Sequence, residues 1–152
     1  EPRIPQNTGT IGRSCLAFDM SLDIIKPTGF SFEDKYLKRA GLDYWENVDV
    51  HLYDSFDEYS EHFINSRIIA LTKKSDKSIS NISYKYNDIL LFGREDTGLP
   101  DNILSRCEII AGIPMPGGEK HIMNKGVRSL NLSVACGIVC YSACVQQNLL
   151  TN

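Results

Sequence analysis

Three short apolar runs place the tightest limit on what this chain can fold into. They are RIIALT (Arg67–Thr72), DILLF (Asp88–Phe92) and EIIAGI (Glu108–Ile113). Each is too continuously apolar to turn one face to water, so each reads as a strand covered on both sides, the habit of parallel sheets. Two more strand candidates, Leu22–Lys26 and Val48–Leu52, precede them. Helical candidates alternate with the strands: Ile11–Phe18, Glu33–Ala40, Asp54–Ile64, Pro100–Arg106 and Asn131–Asn148. That alternation predicts an α/β fold with a mainly parallel sheet and helices on both faces. Pro100 is expected in the first turn of its helix, where a missing N–H is harmless. The polar stretch Lys73–Ser83 (KKSDKSISNIS) reads as a surface connection.

A chain of 152 residues is one domain on length alone, large enough for a single core. No apolar run reaches the ~18 residues of a membrane span. The net charge of −3 argues against a generally basic nucleic-acid binder. A local basic patch remains open, because Arg3, Arg13, Lys35, Lys38, Arg39, Arg94, Lys125 and Arg128 lie in or near the glycine-bearing segments described next. Five cysteines, an odd number, and no signal-peptide pattern point to a reducing compartment. The expected location is the cytoplasm, or an organelle reached through a removed transit peptide.

Three separated segments carry the candidate chemistry: NTGTIGR (Asn7–Arg13), LFGREDTGLP (Leu91–Pro100), and Ile113–Ala135 with its IPMPGG and SLNLSVA. Each is expected to be a backbone-exposing loop that opens onto an apolar helix, with glycines letting a ligand approach the main chain. Gly93, Glu95 and Gly98 directly follow a predicted strand, and ligands of open α/β sheets collect at strand ends. Asn7 reads as a polar fixer of its loop and a helix cap. Ser129 and Asn131 suit either ligand hydrogen bonding or capping of the last helix. Tyr44 and Trp45 suit base stacking, core packing or a subunit contact. His51, His62 and His121 lack metal-ligand spacing, and Cys136, Cys140 and Cys144 read as small buried hydrophobes, so no metal is expected.

The last helix is apolar almost all round. Leu130, Val134, Ile138, Tyr141, Val145 and Leu149 trace one stripe, while Leu132, Ala135, Cys136, Val139, Cys140 and Ala143 line the other side. Burial on several sides is expected, against either a second subunit or the interior of a monomer.

The same segments resemble the three motifs of the SPOUT superfamily of RNA methyltransferases. EPRIPQNTGTIGR, DKYLKRAGLDYW (Asp34–Trp45), FGREDTGLP and SLNLSVA follow in order and spacing the TrmL branch, whose members methylate the ribose 2′-hydroxyl of the tRNA wobble nucleotide. The resemblance covers nearly the whole chain. It implies a C-terminal trefoil knot, one methyltransferase domain over residues 1–152 whose first strand lies before residue 1, and a homodimer through the C-terminal helix. It implies S-adenosylmethionine as methyl donor, leaving S-adenosylhomocysteine, and tRNA as partner. Arg13, Asn7 and Glu95 would carry the reaction. Leu71, Thr72, Gly93, Glu95, Gly98, Ile113, Met115, Ser129, Leu130 and Asn131 would hold the donor. The stretch Gly117–Arg128 (GGEKHIMNKGVR) is longer than in typical relatives of that branch, which keeps two alternatives open: another RNA such as rRNA, or a non-catalytic knotted RNA-binding module.

Overall fold

The computed structural model describes residues 1–31, 44–116 and 127–149. The expected helix Glu33–Ala40 and most of the long stretch Gly117–Arg128 lie outside those residues. The described chain forms two compact units, one of residues 1–66 with 93–98 and one of residues 67–92 with 99–152.

In the second unit the three apolar runs become the strands β3 (Ile68–Leu71), β4 (Ile89–Phe92) and β5 (Ile109–Ala111). They pair in parallel in the order β4-β3-β5, with Leu71 opposite both Phe92 and Ala111. Alternate side chains serve the two faces. Ile69, Leu71, Leu90, Phe92, Ile109 and Ala111 pack with Val139 and Ala143 of the last helix and with Ile79, Ile82 and Tyr84. Ala70, Leu91 and Ile110 pack instead with Leu99, Ile103 and Leu104. Both faces are therefore covered, as the uninterrupted runs predict, with the central strand buried and the two outer strands partly so. The polar stretch Lys73–Ser83 departs from expectation: it holds a 3₁₀ turn, Ile79–Asn81, that drives Ile79 and Ile82 into the core.

The first unit holds a two-stranded parallel pair, β1 (Leu22–Ile25) and β2 (Val50–Tyr53), with α1 (Pro5–Ala17) and α2 (Phe56–His62). Helix α2 begins at a Ser-x-x-Glu signal. Ser55 Oγ accepts the N–H of Glu58, and the Glu58 carboxylate returns to the N–H of Asp54. Tyr59 of α2 is buried, its ring edge-on to Tyr53 at 4.8 Å and its hydroxyl donating to Asp23 of β1 at 2.9 Å. Burial and the Asp23 carboxylate both push that phenol far above its usual range.

The remaining helices are α3 (Asp101–Leu104) and α4 (Leu132–Gln146), both in the second unit. Pro100 is the N-cap of α3 and not a residue of its first turn. Its extended ψ of 153 explains the shift, since the helical conformation starts one residue later. Helices α1 and α4 stop in the same way without glycine. Asp19 and Asn148 take left-handed conformations at φ 53 and 54, and the N–H groups of Met20 and Leu149 reach back to the carbonyls of Cys15 and Cys144.

At the start of β3 and β4, Arg67 holds Asp88 through two hydrogen bonds of 2.7 and 2.6 Å, and the N–H of Lys85 also donates to Asp88. The Asp88 side chain is only 4% exposed, so the pair is dry enough to matter. The Lys74–Asp101 pair is the contrast, 3.6 Å apart with both partners open to water. Asp88→Asn should lower unfolding free energy by about 3 kcal/mol, whereas Asp101→Asn should change it by under ~0.5 kcal/mol. Urea denaturation checks both, and equal losses would show that burial does not govern these pairs.

Candidate functional site

The helix of the first motif starts at Pro5, six residues before the expected Ile11, so Asn7–Thr10 is helical where a loop was expected. Asn7–Arg13 lies wholly inside α1, which starts at Pro5, so Asn7 cannot cap it; the N-cap is Ile4, with no side-chain hydrogen bond. The physical reason lies in Glu95. Its carboxylate accepts the N–H groups of Arg3 (2.9 Å) and Ile4 (3.2 Å) and the amide of Asn7 (3.1 Å). An external carboxylate thus takes the place of a cap, and its charge also suits the positive end of the helix. Desolvation pushes the Glu95 carboxyl up, but the hydrogen bonds from Arg3, its own backbone, Asn7 and Ile4 prevail and hold it below its ordinary value. Asn7 and Thr8 are buried, while Arg13 projects from the exposed side of the same helix.

Glu95 stands in the turn that follows β4. Arg94 and Gly98 exchange backbone hydrogen bonds of 3.3 and 2.9 Å across that turn, and Gly98 closes it at φ +72, which an L side chain rarely adopts. Open space surrounds the Gly98 Cα. Arg94 is committed to Asp96 by bonds of 3.0 and 2.8 Å and lies 3.6 Å from Glu1. The Arg94 side-chain hydrogen bond holds the Asp96 carboxyl down to about 2. Arg94 therefore contributes little net charge to a basic patch. Arg13 differs: among the described residues no carboxylate pairs with it, and its guanidinium carbon sits 4.5 Å over the Tyr44 ring.

Gly93, like Glu95 and Gly98, belongs to the first unit, and the remaining donor-binding candidates belong to the second. Leu71 ends β3, and the N–H of Thr72 donates to Ala111 at the end of β5. Ile113 and Met115 follow β5 half-buried, with Ile113 against the sheet core. Ser129 and Leu130 lead into α4, and Asn131 is its N-cap, accepting the N–H groups of Ser133 and Val134. Of the two capping candidates, the structure selects Asn131. All seven residues are uncharged. Leu71, Ile113, Met115 and Leu130 are apolar and Thr72, Ser129 and Asn131 polar but neutral, a set that suits an adenine ring and does not repel a sulfonium, so its chemistry fits S-adenosylmethionine. Sequence reasoning left out the Glu95 grip on the N–H groups of Arg3 and Ile4, because nothing local links positions 91 and 92 residues apart.

Residues 1–141 match the model of the SpoU rRNA methylase family. The chain is 43% identical over 148 residues to the tRNA (cytidine(34)-2′-O)-methyltransferase of Yersinia pestis, covering 94% of this chain and 88% of the relative. A solved structure concerned with the 2-OH methylation of C/U34 on tRNA superposes with a TM-score of 0.89 at 40% identity, covering 98% of this chain and 93% of that one. An AdoMet-bound rRNA methyltransferase from Sinorhizobium meliloti superposes at 0.81 with 25% identity, over 99% of this chain and 55% of that one. The mainly parallel sheets with flanking helices are thus the SpoU methyltransferase fold.

The state of Glu95 sets an acid limit on the first unit. A carboxyl held below its ordinary value of 4.5 adds stability that is present above that value and lost as pH falls through the lower, folded-state value. Glu95→Gln removes this dependence. Thermal melts between about pH 6 and pH 3 should show the native chain losing more stability on acidification than the Gln variant. Parallel curves would mean that the three-donor grip is not made.

Proposed function

The chain belongs to the SpoU rRNA methylase family, and on that basis we propose that it transfers a methyl group from S-adenosylmethionine to the ribose 2′-hydroxyl of the wobble nucleotide of tRNA, a cytidine or uridine. The observation that carries this reading is the 40% identity and full-length superposition on the structure concerned with C/U34 methylation. When bound, S-adenosylmethionine supplies a methyl on a positively charged sulfur, and S-adenosylhomocysteine is left. The residues proposed to hold it are Leu71, Thr72, Ile113, Met115, Ser129, Leu130 and Asn131, by apolar contact and main-chain groups, together with Gly93, Glu95 and Gly98.

Arg13 acts on the RNA. An arginine side chain offers five N–H donors in a planar fork and no acceptor, so it serves as a donor and a charge. It orients the 2′-hydroxyl, meets an RNA phosphate and stabilises oxyanion character as the hydroxyl proton passes to solvent water. Asn7 and Glu95 fix the helix from which it projects. Alignment of two reactants is worth ~7–11 kcal/mol of barrier, enough to explain a site without strong acids or bases.

The proposal includes three further elements. The whole chain works as one methyltransferase domain, with a trefoil knot in its C-terminal half; membership of the SpoU family supports this element. The protein is a homodimer through α4. Val134, Ile138, Tyr141, Val145 and Leu149 leave 37–54% of their surfaces open along one stripe, which an isolated chain gains nothing by exposing. It works where tRNA is, in the cytoplasm or an organelle.

Nucleoside mass analysis of tRNA incubated with protein and donor tests the activity. A new 2′-O-methylcytidine or 2′-O-methyluridine mapped to the wobble position is expected. Methylation of ribosomal RNA alone would replace the substrate, and donor binding with no RNA methylated would favour a non-catalytic module.

Arg13→Ala should lower kcat on tRNA by ~100-fold or more, the size of losing one preorganised donor, while calorimetry shows donor affinity unchanged. Equal losses in both would place Arg13 in the donor pocket. Ile138→Arg adds a charge to a side chain that is already 37% exposed, so folding survives while association does not. Light scattering should find a dimer for the native chain and a folded monomer for the variant.

A further inference from the structure

Arg13 rests on a seat that the functional reading leaves unused. A Cβ at Gly12 would stand 2.6 Å from Cζ3 of Trp45, so the indole reaches the backbone of α1 only because position 12 is glycine. That contact docks the 3₁₀ turn Trp45–Asn47 on α1 and, with it, the preceding residue Tyr44. Tyr44 bridges one helical turn. Its hydroxyl donates to the carbonyl of Gly9 at 3.2 Å, and its ring lies 4.5 Å beneath the guanidinium carbon of Arg13. Gly9 and Arg13 are four residues apart, so they stack on one face of the helix.

The choice of an aromatic partner has a chemical consequence. A carboxylate would orient the guanidinium but occupy its N–H edge and cancel its charge. An aromatic face attracts the cation through its quadrupole and leaves the in-plane N–H groups directed outward. An exposed arginine is otherwise rotamer-rich, and ordering it at the moment of RNA binding would slow turnover. We propose that Tyr44 is a positioning residue for the methyl transfer, setting the plane of the Arg13 guanidinium while leaving its donors open to RNA. This rests on the reading of Arg13 as the RNA-facing group.

Two measurements separate the proposal from that reading. The Arg13 side-chain N–H resonance, assigned by its loss in Arg13→Gln, should be displaced by the Tyr44 ring current in the native chain and in Tyr44→Phe, and should return to its unstacked position in Tyr44→Leu. In turnover on tRNA at saturating donor, Tyr44→Leu should lower kcat about 10-fold, within the range of a partly desolvated cation–π contact. Its KM for the donor should not change, and Tyr44→Phe should restore most of the loss. In an Arg13→Gln background, Tyr44→Leu should bring no further loss. A full additional loss there, or an unshifted Arg13 resonance in the native chain, overturns the positioning role. Failure of the native chain to methylate any RNA, with the resonance displaced, overturns the functional reading instead.

Discussion

Everything in the second unit follows from a sheet that has no free face. Ile69 and Ala70 of the central strand are fully buried, and their neighbours on β4 and β5 serve one covered layer or the other. A sheet closed in this way can present functional groups only where its strands stop. Because all pairings are parallel, the three strands stop together, with Leu71, Phe92 and Ala111 in register. Packing on both sides thus does two jobs. It stabilises the unit, and it confines chemistry to one rigid rim.

The first unit solves a different problem, the management of charge beside a helix end. Three residues in a row divide the work. Arg94 and Asp96 neutralise each other in the turn, and Glu95 between them turns its carboxylate onto α1. Arg13, on the same helix, is set against an aromatic ring and not a carboxylate. The charges of the turn are therefore largely internal, whereas the Arg13 guanidinium meets a ring and, among the described residues, no carboxylate. An acidic net charge is compatible with RNA chemistry on these terms, since what matters is which cation is left uncommitted.

The strands were legible in the sequence because unbroken apolar runs admit few alternatives, and each formed within two residues of its expected bounds. The stripe from Val134 to Val145 was legible through its helical spacing, and it lies on α4. The first motif was not. Asn, Thr and Gly at positions 7 to 10 and Gly at 12 are weak helix formers, so local preference pointed to a loop. Glu95 and Trp45 override that preference from far along the chain, and Gly12 serves the approach of an indole, not of a ligand. Pro5 was the one local sign of an earlier helix start. The burial of Ile79 and Ile82 was obscured by the lysines and serines around them.

The amide of Gln146 closes the second unit in a way that bears on how the protein is made. Its Oε1 accepts the N–H of Tyr84 and its Nε2 donates to the carbonyl of Ile82, so one side chain completes the edge of a segment over 60 residues upstream. During synthesis that segment must wait unsealed until position 146 has been made. Helix α1 waits as well, since its carboxylate clamp arrives at position 95. Contacts of such long span slow folding and leave apolar strands uncovered meanwhile. The nascent chain therefore holds uncovered apolar strands until residue 146 has been made, and loss of the Gln146 side chain would leave the segment around Ile82 and Tyr84 without its seal.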